Sequence, residues 1–208
     1  MGHRALLAYR RSDADSTADT GDGSEESTDG PSSETTDDTR GDPPEDATYD
    51  LHRSHWGGAD FALAEHLSAD SPLASETHFA VDPEPVATDL TLAEIAANHL
   101  DFLHHEAFYR VSTDYEVTAF HVLWFGLEAD AEAVDHSETV GHGALVEAVP
   151  EGANYLRGWF RGTKSVVGDA HDGTGPLCEA NLSRDDAVEY LAERVETWAA
   201  DREVILPE

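Results

Sequence analysis

"EAFYRVSTDYEVTAFHVLWFGL", residues 106–127, decides the fold. Two runs rich in β-branched and aromatic residues flank a polar turn near Thr113 and Asp114, the signature of an antiparallel hairpin. The second arm, 116–127, is apolar at nearly every position. A strand with neither face in water has this pattern, so the arm belongs inside a sheet.

Reading outward toward the C-terminus, "VGHGALVEAV" (140–149) predicts a further strand. In "YLRGWFRGTKSVVGDA" (155–170), Leu156, Trp159, Phe160, Thr163, Val166, Val167 and Ala170 recur at helical spacing. "SRDDAVEYLAERVETWAA" (183–200) predicts a second helix, capped by Ser183 and burying Val188, Leu191, Val195 and Trp198. "REVILP" closes the chain as a short strand.

Toward the N-terminus, "TLAE" (91–94) is a capping box that opens a helix with Leu92, Ile95, Ala96, His99, Leu100 and Leu103 on one side. Pro72, Pro83 and Pro85 make 70–88 mostly loop, and "ADFALAEHL" (59–67) a short helix before it. "HRALLAYRR" (3–11) and "TYDLHRSHW" (48–56) form a pair of strands around residues 12–46. That stretch has 13 acidic residues and almost no large apolar side chain. It cannot offset its ordering entropy, so it is expected to be disordered. Such an insertion is tolerated because loop-closure entropy grows only logarithmically with length. The expected architecture is α+β: one domain over 1–208, with an antiparallel sheet of about five strands, helices packed on one face, and a disordered acidic insertion at 12–46 in the first hairpin.

The whole chain has 208 residues, 44 acidic and 12 basic, for a net charge of -32. Outside 12–46, 31 acids still face 11 bases around a periodic apolar pattern. An acidic surface over a normal core fits folding in molar salt, where the screening length falls to roughly 3 Å and self-repulsion is suppressed. Eleven of the twelve bases are Arg and one is Lys164, as expected where water is scarce, since a lysine head is strongly hydrated. The alternative, an ordinary acidic interaction protein, usually keeps its lysines. A single cysteine, Cys178, excludes an intramolecular disulfide and a thiolate metal cluster. No apolar run reaches the length of a membrane helix and no signal peptide is evident, so the expected location is the cytoplasm, with no membrane partner.

Chemistry is thinly marked. There is no nucleophile elbow, phosphate-binding P-loop or dinucleotide glycine fingerprint. In "LHRSHW", His52 and His55 fall on opposite faces of a strand, so two separate hydrogen-bonded histidines are the plainer account. "NHLDFLHHE" lacks the HExxH spacing of a zinc helix, but a folded site could still gather His105 and Glu106 with a strand histidine such as His3, His52 or His121. His52, His105 and Glu106 are therefore the candidate ligands for a divalent metal, should one be present; otherwise no cofactor is expected. Arg157, Arg161 and Lys164 form one ridge of the predicted helix 155–170, the candidate contact for an anionic ligand. Ion pairing with neighbouring carboxylates is the plainer account of that ridge.

Taken together, "MGHRALLAYRR", "YDLHRSHWGG", "LHHEAFY", "EVTAFHVLWFGLE", "VGHGALV" and "RGWFRGTKSVVGD" resemble a haloarchaeal family, a domain of unknown function. The resemblance implies a halophilic archaeal source and no activity. The expected function is a non-enzymatic binding or interaction module for an anionic ligand or a partner protein. A small metal-dependent hydrolase is the rival, and an acidic mimic of nucleic acid ranks last. Direct binding to nucleic acid is not expected of so acidic a chain.

Overall fold

The computed structural model describes residues 3–12, 44, 47–125, 143–149 and 184–207. Seven strands form one mixed sheet: β1 (Arg4–Arg10), β2 (Tyr49–Ser54), β3 (Ala87–Leu90), β4 (His105–Val111), β5 (Val117–Trp124), β6 (Gly143–Glu147) and β7 (Val204–Ile205). Their order across the sheet is β3-β2-β1-β4-β5-β6-β7. Two α-helices accompany them among the described residues, α1 (Leu92–Asn98) and α2 (Arg184–Ala199), with a 3-10 helix at Ala62–His66.

The 106–127 hairpin is present as β4 and β5, paired from Ala107↔His121 to Val111↔Val117. Its turn closes through Ser112, whose backbone N–H donates to the Glu116 carbonyl at 2.9 Å, and Tyr115 takes a left-handed φ of 62°. β1 and β2 also pair antiparallel, from Ala5↔Ser54 to Arg10↔Tyr49, so the acidic stretch does join two adjacent strands. The capping box forms: Thr91 Oγ1 accepts from Glu94 N at 3.2 Å, and Glu94 Oε2 accepts from Thr91 N at 2.8 Å.

The expected fold class is corrected in three respects. The protein is mostly sheet, with seven strands curled into a half-barrel rather than about five. The sheet is not wholly antiparallel, because β1 runs parallel to β4, with Leu6 beside Phe108 and Leu7 beside Tyr109. The helices do not share a face. Leu6, Ala8, Tyr49, Leu51, Phe108, Phe120, Leu145 and Ile205 point to one side and bury against Ile95, Ala96 and Leu100 of the α1 segment. Ala144 and Val146 point to the other side, where Leu191, Val195 and Ala199 of α2 cover them. Both edges of the sheet, Leu90 from β3 and Ile205 from β7, belong to the cluster around α1, so the sheet curls about that helix.

The remainder of the convex face, with Ala5, Leu7, Ala107, Tyr109 and Val111, is sealed by residues 55–86. The predicted helix at 59–67 shortens to a 3-10 turn, because Asp60 and Phe61 take left-handed φ values of 49° and 59°. α-Helical geometry cannot begin through two such residues. The predicted helix 155–170 and the cap Ser183 lie outside the described residues, as do all of 12–46 except Ser12 and Pro44.

Candidate functional site

Three strand ends meet at one rim of the sheet: the start of β1, the end of β2 and the start of β4. Register alone brings them together, since Ala5 opposes Ser54 while Arg4 lies beside His105. The rim therefore gathers His3, Arg4, His55, Trp56, His104, His105 and Glu106. A glycine pair makes the close approach possible. A Cβ on Gly58 would stand 2.8 Å from the Arg4 carbonyl oxygen and 2.9 Å from Glu106 Cβ. Gly58 N also donates to the His3 carbonyl at 2.8 Å, which fastens the turn to β1.

His3 Nδ1 lies 2.6 Å from Glu106 Oε2, with both side chains about half exposed. The His3 ring also leans on Trp56, centroids 6.2 Å apart. Trp56 itself is 47% exposed, a large aromatic surface left in water. Nearby, Asp101 holds the turn before β4: its Oδ1 accepts from Leu103 N and His104 N, and its Oδ2 lies 2.8 Å from His104 Nδ1. The His105 ring sits against the Asp101 backbone, Nδ1 at 3.0 Å from its N and 3.1 Å from its O. Burial is the largest influence on His105 and lowers its pKa; the Asp101 charge opposes this. His105 is accordingly held neutral, since a charged ring would be desolvated there.

The three candidate metal ligands are placed apart. His52 pairs with Leu7 on the far side of β1 from β4, while His105 stands beside Arg4. Two strand spacings and three residues of strand rise separate them, roughly 10 Å in each direction. His52 Nδ1 lies 2.9 Å from the Asp82 carbonyl oxygen. A carbonyl only accepts, so that nitrogen carries the proton. Glu106 turns to His3 rather than to His52. No group of three His, Cys, Asp or Glu side chains with metal-ligand placement occurs among the described residues. His55 lies past the end of β2, exposed in the turn, so the strand alternation invoked for the pair stops at Ser54. The ridge Arg157, Arg161 and Lys164 lies outside the described residues.

Sequence reasoning set His105 and Glu106 together with a histidine such as His3, His52 or His121; of these, Glu106 meets His3, while His105 turns to the Asp101 backbone. It missed Arg4 and Trp56, whose signal was their place at strand ends, visible only once β1 is set between β2 and β4.

Residues 74–206 match a family of unknown function, DUF6735. The chain belongs to DUF6735. The match begins after β1 and β2, so two of the three strand ends of the rim precede the segment that defines DUF6735. No curated protein and no solved structure matches the chain. No helix among the described residues is long and apolar enough to cross a membrane.

Proposed function

We propose that the protein is a non-enzymatic binding module of the cytoplasm of a salt-in haloarchaeon. Its rim takes a carboxylate or phosphate carried by a small ligand or a partner protein. The exposed Trp56 ring against His3, on the rim where Arg4 begins β1, carries this reading. In a chain of net charge -32, no carboxylate pairs with Arg4 among the described residues. A guanidinium suits a planar oxyanion, and a half-exposed indole offers an apolar platform on the same rim. Arg157, Arg161 and Lys164 are proposed as a second anion contact, on helical spacing alone.

Tryptophan fluorescence in molar KCl tests the rim. Inorganic phosphate and a glutamate-rich peptide are the two probes, titrated separately. Saturable quenching by one of them, absent in Trp56→Phe and weakened in Arg4→Gln, supports the reading and names the source. Quenching by neither probe, or equal quenching in Trp56→Phe, refutes it. The halophilic habitat predicts a melting temperature that falls steeply as KCl is withdrawn; a melt indifferent to KCl overturns that part.

The metal-hydrolase alternative has one observation in its favour. A carboxylate holding one ring nitrogen of a histidine, as Glu106 holds His3, orients the other nitrogen toward a metal. Stoichiometric zinc, manganese or iron in protein purified in molar KCl would select this alternative over binding alone.

A further inference from the structure

The opposite end of the same strands holds a different arrangement. Tyr49 and Arg10 face each other directly across β1 and β2, and both project into the concave side with Leu6 and Ala8. Side chains so paired start about 5 Å apart at Cβ. Tyr49 is 1% exposed, yet its hydroxyl has no hydrogen-bond partner among the described residues. A buried hydroxyl left unpaired costs about 1–3 kcal/mol, so such groups are satisfied in nearly every folded protein.

The charges around it are unequal. Arg110, one strand beyond β1, is ion-paired with Glu203 and lies over the Phe120 ring, 5.6 Å to its centroid. Arg11 is taken by Asp50 and Asp89, at 3.9 and 3.5 Å. Arg10 is half-buried, and among the described residues no carboxylate pairs with it. Burial raises the pKa of Tyr49, Arg110 and Arg10 lower it, and Glu203 raises it, so the phenol is protonated and has a hydrogen to donate. A buried O–H donor and a guanidinium with no carboxylate partner among the described residues thus stand on one face of a strand pair, in a chain of net charge -32.

We propose that Tyr49 and Arg10 form a small-anion site in the half-barrel, taking chloride or an equally compact oxyanion between the phenol and the guanidinium. Either acceptor satisfies the hydroxyl and neutralises Arg10 at once. The site lies at the other end of β1 from the rim and does not depend on the function proposed for that rim. Its consequence is a protein whose stability responds to the anion of the salt as well as to screening.

The test holds potassium constant in the molar range and replaces chloride stepwise by gluconate, too large to enter. Thermal melting and chlorine NMR line broadening are read together on the full chain. Loss of chloride is expected to lower the melting temperature of the parent protein, with saturable broadening of the chloride line. Tyr49→Phe and Arg10→Gln should lose the chloride-dependent part of the shift, and Arg4→Gln at the rim should keep it. Inorganic phosphate replacing chloride at lower concentration would support the site and identify an oxyanion as its occupant. Equal melting in the two anions, or an unchanged chloride dependence in Tyr49→Phe, would overturn the proposal and leave the hydroxyl to water. A variant lacking residues 13–45 should show the same chloride dependence as the full chain; a dependence that appears only in that variant would assign Arg10 to the chain's own carboxylates and sink the proposal.

Discussion

The two faces of the sheet are closed in different ways. The concave face is sealed by a short helix and the residues just after it, whose Ile95, Ala96 and Leu100 meet aliphatic and aromatic side chains from both edges. Much of the convex face is sealed by residues 55–86, which have little regular structure, and there side chains reach out to loop carbonyls. Tyr109 Oη donates to Gly57 O at 2.6 Å, Tyr9 Oη to Pro72 O at 2.7 Å and Ser54 Oγ to Phe79 O at 2.8 Å, and His52 bonds Asp82 O. Apolar burial is indifferent to direction, whereas a hydrogen bond fixes one partner in one place. The concave face should therefore supply most of the stability, and the convex face most of the loop's definition.

The largest expected effect breaks the concave face. Phe108→Ala or Phe120→Ala should lower unfolding stability by about 3–5 kcal/mol, because both rings are fully buried and leave a cavity. Denaturant unfolding in molar KCl measures this. A smaller loss is expected on the convex face: Tyr109→Phe strands the Gly57 carbonyl and should cost about 1–3 kcal/mol. Hydrogen exchange would add a sharper contrast, since amides of 55–86 should lose protection in that variant while those of β5 and β6 keep theirs. If Tyr109→Phe destabilised more than Phe108→Ala, the proposed division between the faces would be wrong. Thr91→Ala, which removes the cap of α1, should cost about 1 kcal/mol and affect only the concave side.

Acid acts on the faces in two windows. His105 has its pKa lowered in the folded protein, so the unfolded chain binds its proton first. Its contribution is present above the ordinary histidine pKa of about 6.5 and is lost as pH falls below it. Melting followed against pH should show this loss, and His105→Gln should remove it. Asp82, lowered by the Glu84 N–H and by Arg53, and Glu94, lowered by Thr91, contribute above the ordinary carboxylate range and lose that contribution as pH falls through their folded values. The smallest expected effect is none: deleting residues 13–45 should leave the cooperative melt in molar KCl unchanged.

The concave face was largely legible in the sequence. Thr91 and Glu94 announce a helix, Ile95 and Leu100 give that segment a buried side, and the hairpin around Thr113 is written in two β-branched and aromatic runs about a polar turn. The convex face was not. Phe61 takes a left-handed backbone among residues that otherwise spell a helix, and its ring lies edge-on to Tyr109 and His121 for reasons of tertiary packing. β3 hides in four residues, Ala87–Leu90, shortly after Pro83 and Pro85, with its two central residues exposed. The partner carbonyls of Tyr9 and Tyr109 carry no side-chain signature at all. At the rim the same limit applies: His3 and Glu106 become neighbours only when β1 is set parallel to β4, and parallel pairing leaves no local trace, whereas Tyr49 and Arg10 face each other across the expected first hairpin.

The parallel seam between β1 and β4 also sets the order in which the molecule can assemble. β1 and β2 leave the ribosome before β4, yet β1 finds its second neighbour only after the loop, α1 and β4 have followed. Until then β1 has an open edge of unpaired amides and carbonyls, the kind that recruits other chains. The family-matched segment, 74–206, faces the complementary difficulty, because without β1 and β2 its β4 edge is bare and β3 has no strand to pair with. Neither portion of the chain is a finished sheet. Contacts this distant in sequence make for slow folding, and they leave a long interval in which those edges stand open.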